Sequence, residues 1–130
     1  DKYDLLSPEG IAIEVKSSGY VQTWEQEKLS DISFGIQPTY GWDSNTNQYD
    51  TIRHRQSDVY VFCVHKHTEQ ESINPLDISQ WDFYILATSI LNEKVGIQKR
   101  ISLSSLVKKG ALKCEYKKKK KKIIEIASNL

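Results

Sequence analysis

Cysteine is scarce in this chain, with two in 130 residues. Cys63 falls inside an apolar stretch and Cys114 near the C-terminal lysines, so the pair makes no disulfide framework and a reduced, cytoplasmic setting is expected. Long hydrophobic runs are also missing. No stretch approaches the length needed to cross a bilayer, and no secretory pattern opens the sequence, so no membrane partner is expected. The chain has no glycine-rich phosphate loop, no Ser-His-Asp set to place as a triad and no internal repeat. These absences argue against P-loop nucleotide chemistry, serine-hydrolase chemistry and a solenoid. An excess of basic charge is lacking as well. The net charge is +1, but Lys117 to Lys122 form one unbroken run, and without them 12 basic residues face 17 acidic ones, a balance of −5. Non-specific DNA binders are usually basic, so the body of the chain lacks that signature.

What is present describes a globular domain. Hydrophobic content of 38% with seven Tyr and three Trp is too high for a disordered segment. The length fits one domain, read as a core over residues 1–116 followed by a basic tail over 117–130.

The stretch from Tyr3 to Ser17 organises the rest. Pro8 suits the first corner of a type I turn, and Gly10 suits the left-handed position that closes a three-residue hairpin loop. That loop sets Ser7 opposite Ile11, Leu6 opposite Ala12, Leu5 opposite Ile13 and Asp4 opposite Glu14. Opposed residues share a face with Cβ atoms roughly 5 Å apart. Lys16 joins that face through the strand's period of two, while Leu5, Ile13 and Val15 turn away. Two opposed carboxylates repel. A divalent cation between them removes the cost, and oxygen ligands from carboxylates and a backbone carbonyl suit Mg²⁺. An ammonium beside the ion holds a water or offsets charge on the phosphorus centre. The plainer alternative is an amphipathic hairpin with a charged outer face.

Asp4 followed by Glu14-Val15-Lys16 on an apolar strand resembles the PD-(D/E)xK signature of the restriction-endonuclease-like nucleases. Tyr3 stands where that motif has Pro, and Gln22 follows the lysine as a polar residue often does in the superfamily. The resemblance covers mainly residues 3–24. It implies Asp4 and Glu14 as metal ligands with the Val15 carbonyl, Lys16 as the catalytic lysine, and Mg²⁺ as the cofactor, for which Mn²⁺ substitutes. It also implies an α/β (α+β) fold with a mixed central β-sheet flanked by helices. Members of the superfamily usually place a helix before the first strand. Its absence ahead of Asp1 gives the expectation that this is the C-terminal part of a longer protein.

Taken in order, residues 22–29 read as a short helix or irregular turn, in which Gln22 either hydrogen-bonds a phosphate or metal-bound water or is a surface amide. Residues 31–40 alternate and read as a strand ended by Pro38. Asp43-x-Asn45-x-Asn47 imitates the start of a calcium loop, but Gln48 and His54 occupy the positions that need Gly and Glu, so this is a hairpin tip. Arg53 and Arg55 share a strand face, where they either grip phosphates or simply face solvent. Asp58 to His65 is apolar on both faces and reads as a central strand, with His65 and His67 at a solvated end. Trp81 to Thr88 reads as its neighbour, Ser89 to Lys94 as a capped helix, Ile101 to Leu103 as a strand, and Ser104 to Lys109 as a helical turn stopped by Gly110. The lysine run is a nucleic-acid-binding arm, a basic helix leading into a partner, or an unstructured end.

The expectation is a metal-dependent DNA endonuclease of restriction or repair type. Asp4, Glu14, Lys16 and Gln22 form its catalytic set, and Gln22, Arg53 and Arg55 steady the DNA. A homodimer is left open. The alternative is a catalytically inactive nuclease-fold module that binds DNA or a protein. The spacing of the Asp4 and Glu14 carboxylates separates the two.

Overall fold

The structure, a computed structural model, describes residues 3–21, 31–40, 42–43, 46–49 and 51–128. Its centre is the strand whose apolar residues run without interruption. Val59–His65 (called β6 in chain order) lies between Ala12–Gly19 (β2), which it pairs in parallel, and Trp81–Ala87 (β7), which it pairs antiparallel. Leu5–Leu6 (β1) closes one edge beside β2, and Leu112–Cys114 (β9) closes the other beside β7. Asp58 locks the entry to the sheet. Its carboxylate accepts the Ala12 N–H at 2.9 Å, its own N–H donates to the Ala12 carbonyl at 2.8 Å, and its carbonyl accepts the Thr88 N–H at 3.0 Å.

The registers sort the sheet by parity. Glu14, Tyr60 and Leu86 share one row, and Lys16, Phe62 and Tyr84 the next, so even-numbered side chains face one way. That face is covered by an antiparallel ribbon of Ser33–Gly35 (β3) and Arg100–Ser102 (β8), with the helices Thr88–Val95 (α1) and Leu103–Lys108 (α2). Phe34 meets Phe62 edge-on, with ring centroids 4.9 Å apart, among buried Ile36, Leu91, Ile101 and Leu106. Odd-numbered side chains, among them Ile13, Val61 and Ile85, face the C-terminal helix Lys119–Ala127 (α3). The result is a mixed α+β architecture with a five-stranded central sheet, as expected. Among the described residues no helix is long and apolar enough to cross a membrane.

The expected elements are found with three adjustments. The strand read over residues 31–40 is only Ser33–Gly35, and it joins the covering ribbon rather than the main sheet. His65 is buried, not solvated: its Nε2 sits 2.9 Å from Gln80 Oε1 and its ring stacks on Trp81 at 4.6 Å. The lysine run is not a tail beyond the core. It forms a 3₁₀ turn, Tyr116–Lys118, and the start of α3, which packs on the sheet through buried Ile123. Of the hairpin tip expected between residues 41 and 50, the structure describes Trp42–Asp43 (β4) paired with Gln48–Tyr49 (β5), with Asn47 at φ +56°. The segment 22–30 lies outside the described residues.

Phe62 is fully buried and central to its layer, whereas Leu76 is 90% exposed. Phe62→Ala is expected to lower unfolding free energy by about 3–5 kcal/mol in urea titrations. Leu76→Ala is expected to change it by less than about 0.5 kcal/mol.

Candidate active site

The hairpin forms with the register its turn dictates. Gly10 takes φ +85°, its N–H reaches the Ser7 carbonyl at 2.9 Å, and Leu5 and Leu6 pair with Ile13 and Ala12. Asp4 continues the pairing, donating its N–H to the Ile13 carbonyl at 3.1 Å while its carboxylate accepts the Val15 N–H at 2.8 Å. This folds the Asp4 carboxylate back over β2, where its charge acts on the Glu14 carboxyl. Lys16, two residues on, brings its Nζ to 3.3 Å from Glu14 Oε2. Asp4, through the Val15 N–H, and Lys16, through Glu14, thus come to the same stretch of β2.

Electrostatics of the cluster follow from its position. Burial raises the Glu14 pKa above its usual 4.5; Lys16 opposes that rise, and the Asp4 charge and its hydrogen bond add to it. Tyr60 stands beside Glu14 in the β2–β6 register and is 4% exposed. Burial first, then the Glu14 charge, pushes its phenol up to about 12. Tyr60 thus keeps its proton at any ordinary pH and adds no charge to the carboxylate pair. It was not anticipated as a site residue, because its neighbourhood depends on which strand lies next to β2.

Arg55 neither faces solvent nor offers its guanidinium to a phosphate at the surface, the two places considered for it. It is 6% exposed, and its Nε donates to the Ile36 carbonyl at 2.8 Å. One terminal nitrogen donates to Asn92 Oδ1 at 2.8 Å and to the Gly96 carbonyl at 2.6 Å; the other reaches the Gln98 carbonyl at 3.0 Å. It ties the loop after α1 to Ile36, just past β3. Arg53 is exposed, its guanidinium carbon 5.1 Å from the Tyr40 ring centroid. Gln22 lies outside the described residues.

The donor set near Glu14 is two carboxylates and backbone oxygens, with no third acidic, His or Cys side chain gathered there among the described residues. Such a set fits a hard cation that keeps several waters, which is the habit of Mg²⁺. A bound cation also offsets the cost of ionising Glu14 next to Asp4.

A family model described as bacteriophage T4 endonuclease IV matches residues 2–105. The chain belongs to the bacteriophage T4 endonuclease IV family. Among curated proteins and among solved structures, none matches this chain. The endonuclease IV match makes it a member of a nuclease family and contains Asp4, Glu14, Lys16, Arg55 and Tyr60. It ends inside α2, ahead of β9 and α3.

Two consequences are measurable. Because the Glu14 pKa is raised, the folded chain holds that proton more tightly than the unfolded one, so stability falls as pH rises from 4.5 through the folded pKa. Glu14→Gln is therefore expected to be as stable as wild type or more so at neutral pH, and to lose this part of the pH dependence in urea titrations between acid and neutral pH. Arg55→Lys cannot reproduce the fork and leaves buried carbonyls without donors. It is expected to cost about 2–3 kcal/mol or more by denaturation. Arg53→Ala is expected to stay within about 0.5–1 kcal/mol of wild type.

Proposed function

We propose that the protein is a divalent-metal-dependent endonuclease that hydrolyses phosphodiester bonds in DNA, with an active site of the PD-(D/E)xK kind. The observation that carries this reading is the convergence of Asp4, Glu14 and Lys16 at one hairpin edge, in a chain of a nuclease family. Asp4 and Glu14, with the Val15 carbonyl, would hold Mg²⁺ or Mn²⁺. The chemistry such an ion would supply there is a hydroxide at neutral pH and stabilisation of the leaving oxygen.

The remaining work falls to side chains already in place. Lys16, held against Glu14, orients the attacking water and offsets negative charge as it grows on the scissile phosphate. The Val15 N–H holds the Asp4 carboxylate over the strand that carries Glu14. Tyr60 stands beside Glu14 in the neighbouring strand. Arg53, exposed beside Tyr40, is available to a DNA phosphate, and Gln22 is assigned the same role by the motif. The strand-cutting role is of restriction or repair type.

The test is cleavage of plasmid and linear DNA with Mg²⁺, with Mn²⁺ or with EDTA. Nicking is expected only with metal, and Glu14→Ala and Lys16→Ala are each expected to reduce it by about a hundredfold or more. Mg²⁺ is also expected to raise the melting temperature of wild type and not of Glu14→Ala. Metal-independent cleavage, or cleavage indifferent to both substitutions, would remove the assignment. No cleavage with metal present would favour a nuclease-fold binding module.

A further inference from the structure

The far edge of the sheet carries a feature that the catalytic cluster does not use. A cleft of about 750 Å³ lies along β9, the 3₁₀ turn and α3, and its lining has five lysines against two carboxylates. Lys66 and Lys113 flank Asp82 at 3.1 and 3.5 Å, so one carboxylate pins two ammonium groups on the floor. Lys117, Lys118 and Lys122 line the same cleft from the turn and the helix. Trp81 and the exposed Tyr116 add aromatic surface between them. Lys119 Nζ sits 4.6 Å from the Tyr116 ring centroid and 5.2 Å from that of Phe83, which fastens the turn to β7.

The way α3 is built points to an anion. Four lysines open the helix, with no acidic residue in its first turn and no side-chain N-cap. They repel one another and oppose the helix dipole. Burial of Ile123 holds the helix on the sheet despite them. Negative charge supplied from outside relieves both penalties. The sequence states the need from the other side: outside the lysine run the chain is −5, a poor attractor for a polyanion. Strong positive charge is concentrated where the fold has made a concave, aromatic-lined channel, the usual construction for a nucleic-acid backbone.

We propose that this lysine cleft is the principal DNA-backbone docking surface of the protein, separate from the Asp4–Glu14–Lys16 cluster and formed largely by residues beyond the family match. The proposal rests on the endonuclease reading for its choice of polyanion. It places substrate capture at β9 and α3 and chemistry at β1 and β2, with β6 and β7 between them in the sheet. Because α3 covers the face opposite to Glu14 and Lys16, a DNA strand that reaches both passes round the sheet rather than straight across it.

The experiment measures binding without cleavage, by anisotropy of a fluorescent DNA oligonucleotide in EDTA across a salt series. Lys117→Gln, Lys118→Gln and Lys122→Gln are combined in one full-length variant; a control combines Lys94→Gln, Lys99→Gln and Lys108→Gln, exposed positions outside the cleft. Glutamine keeps helix propensity close to that of lysine, so the first variant is expected to fold with an unchanged circular dichroism spectrum. It is expected to bind at least about tenfold more weakly at moderate salt, with a salt slope smaller by about two to three. The control, with the same loss of charge, is expected to bind within about threefold of wild type. Equal losses in the two variants, no loss in the cleft variant, or anionic lipid vesicles bound where DNA is not, would overturn the proposal. Cleavage by wild type with no effect of the cleft variant on binding would sink the cleft alone. Cleft-dependent binding without any cleavage would sink the nuclease reading alone.

Discussion

The parallel pairing of β2 with β6 is the constraint from which the rest of this molecule follows. Seven residue pairs run in register from Ile13–Val59 to Gly19–His65. That register decides which side chains of β2 face the larger core and which face α3, since a shift of one residue would exchange the two sets. It also brings Tyr60 beside Glu14 and Phe62 beside Lys16, so a strand carrying charged residues borders a buried one. The half-buried state of Glu14, and therefore its raised pKa, is a result of that pairing. Asp58 fixes the point from which the register is counted.

Charge is distributed in the same spirit. One sheet edge gathers carboxylates, at a cost that a cation offsets. The other edge gathers ammonium groups, at a cost that an anion offsets. Neither arrangement is favourable for the isolated fold, and each is tolerated because apolar burial nearby exceeds it: Ile13 and Val59 under the hairpin, Ile123 under the lysine helix. Local departures from comfortable electrostatics are the places where a protein's sequence serves something other than its own stability.

Local chemistry was legible in the sequence, and neighbourhood was not. The hairpin and the Asp4–Glu14–Lys16 face could be read from Pro8, Gly10 and the period of two, because turn geometry fixes a register within a dozen residues. The strands at Val59–His65 and Trp81–Ala87 announce themselves by apolar content. Strand order carries no such mark, so Tyr60 looked like one more core residue. Arg55 alternates with Arg53 as a surface residue would, and only the return of the loop after α1 buries it. A basic helix was one of three readings of the lysine run, and six like charges against Ile123, Ile124 and Ile126 left the choice open locally. The sheet under those three isoleucines decides the matter, and it comes from residues far away in the chain.

Asp4 stands just ahead of the shortest and least covered strand of the central sheet. β1 has two residues, both leucines more than half exposed, and little beyond backbone bonds and one Ser7 side chain ties it down. Segments with so few buried contacts open on their own, well below the free energy of unfolding the whole domain. Of the two proposed ligands, Asp4 thus rests on that thin edge and Glu14 on the longer strand beside it. A function that uses both carboxylates would depend on the edge staying paired, and would be tunable there without touching the core.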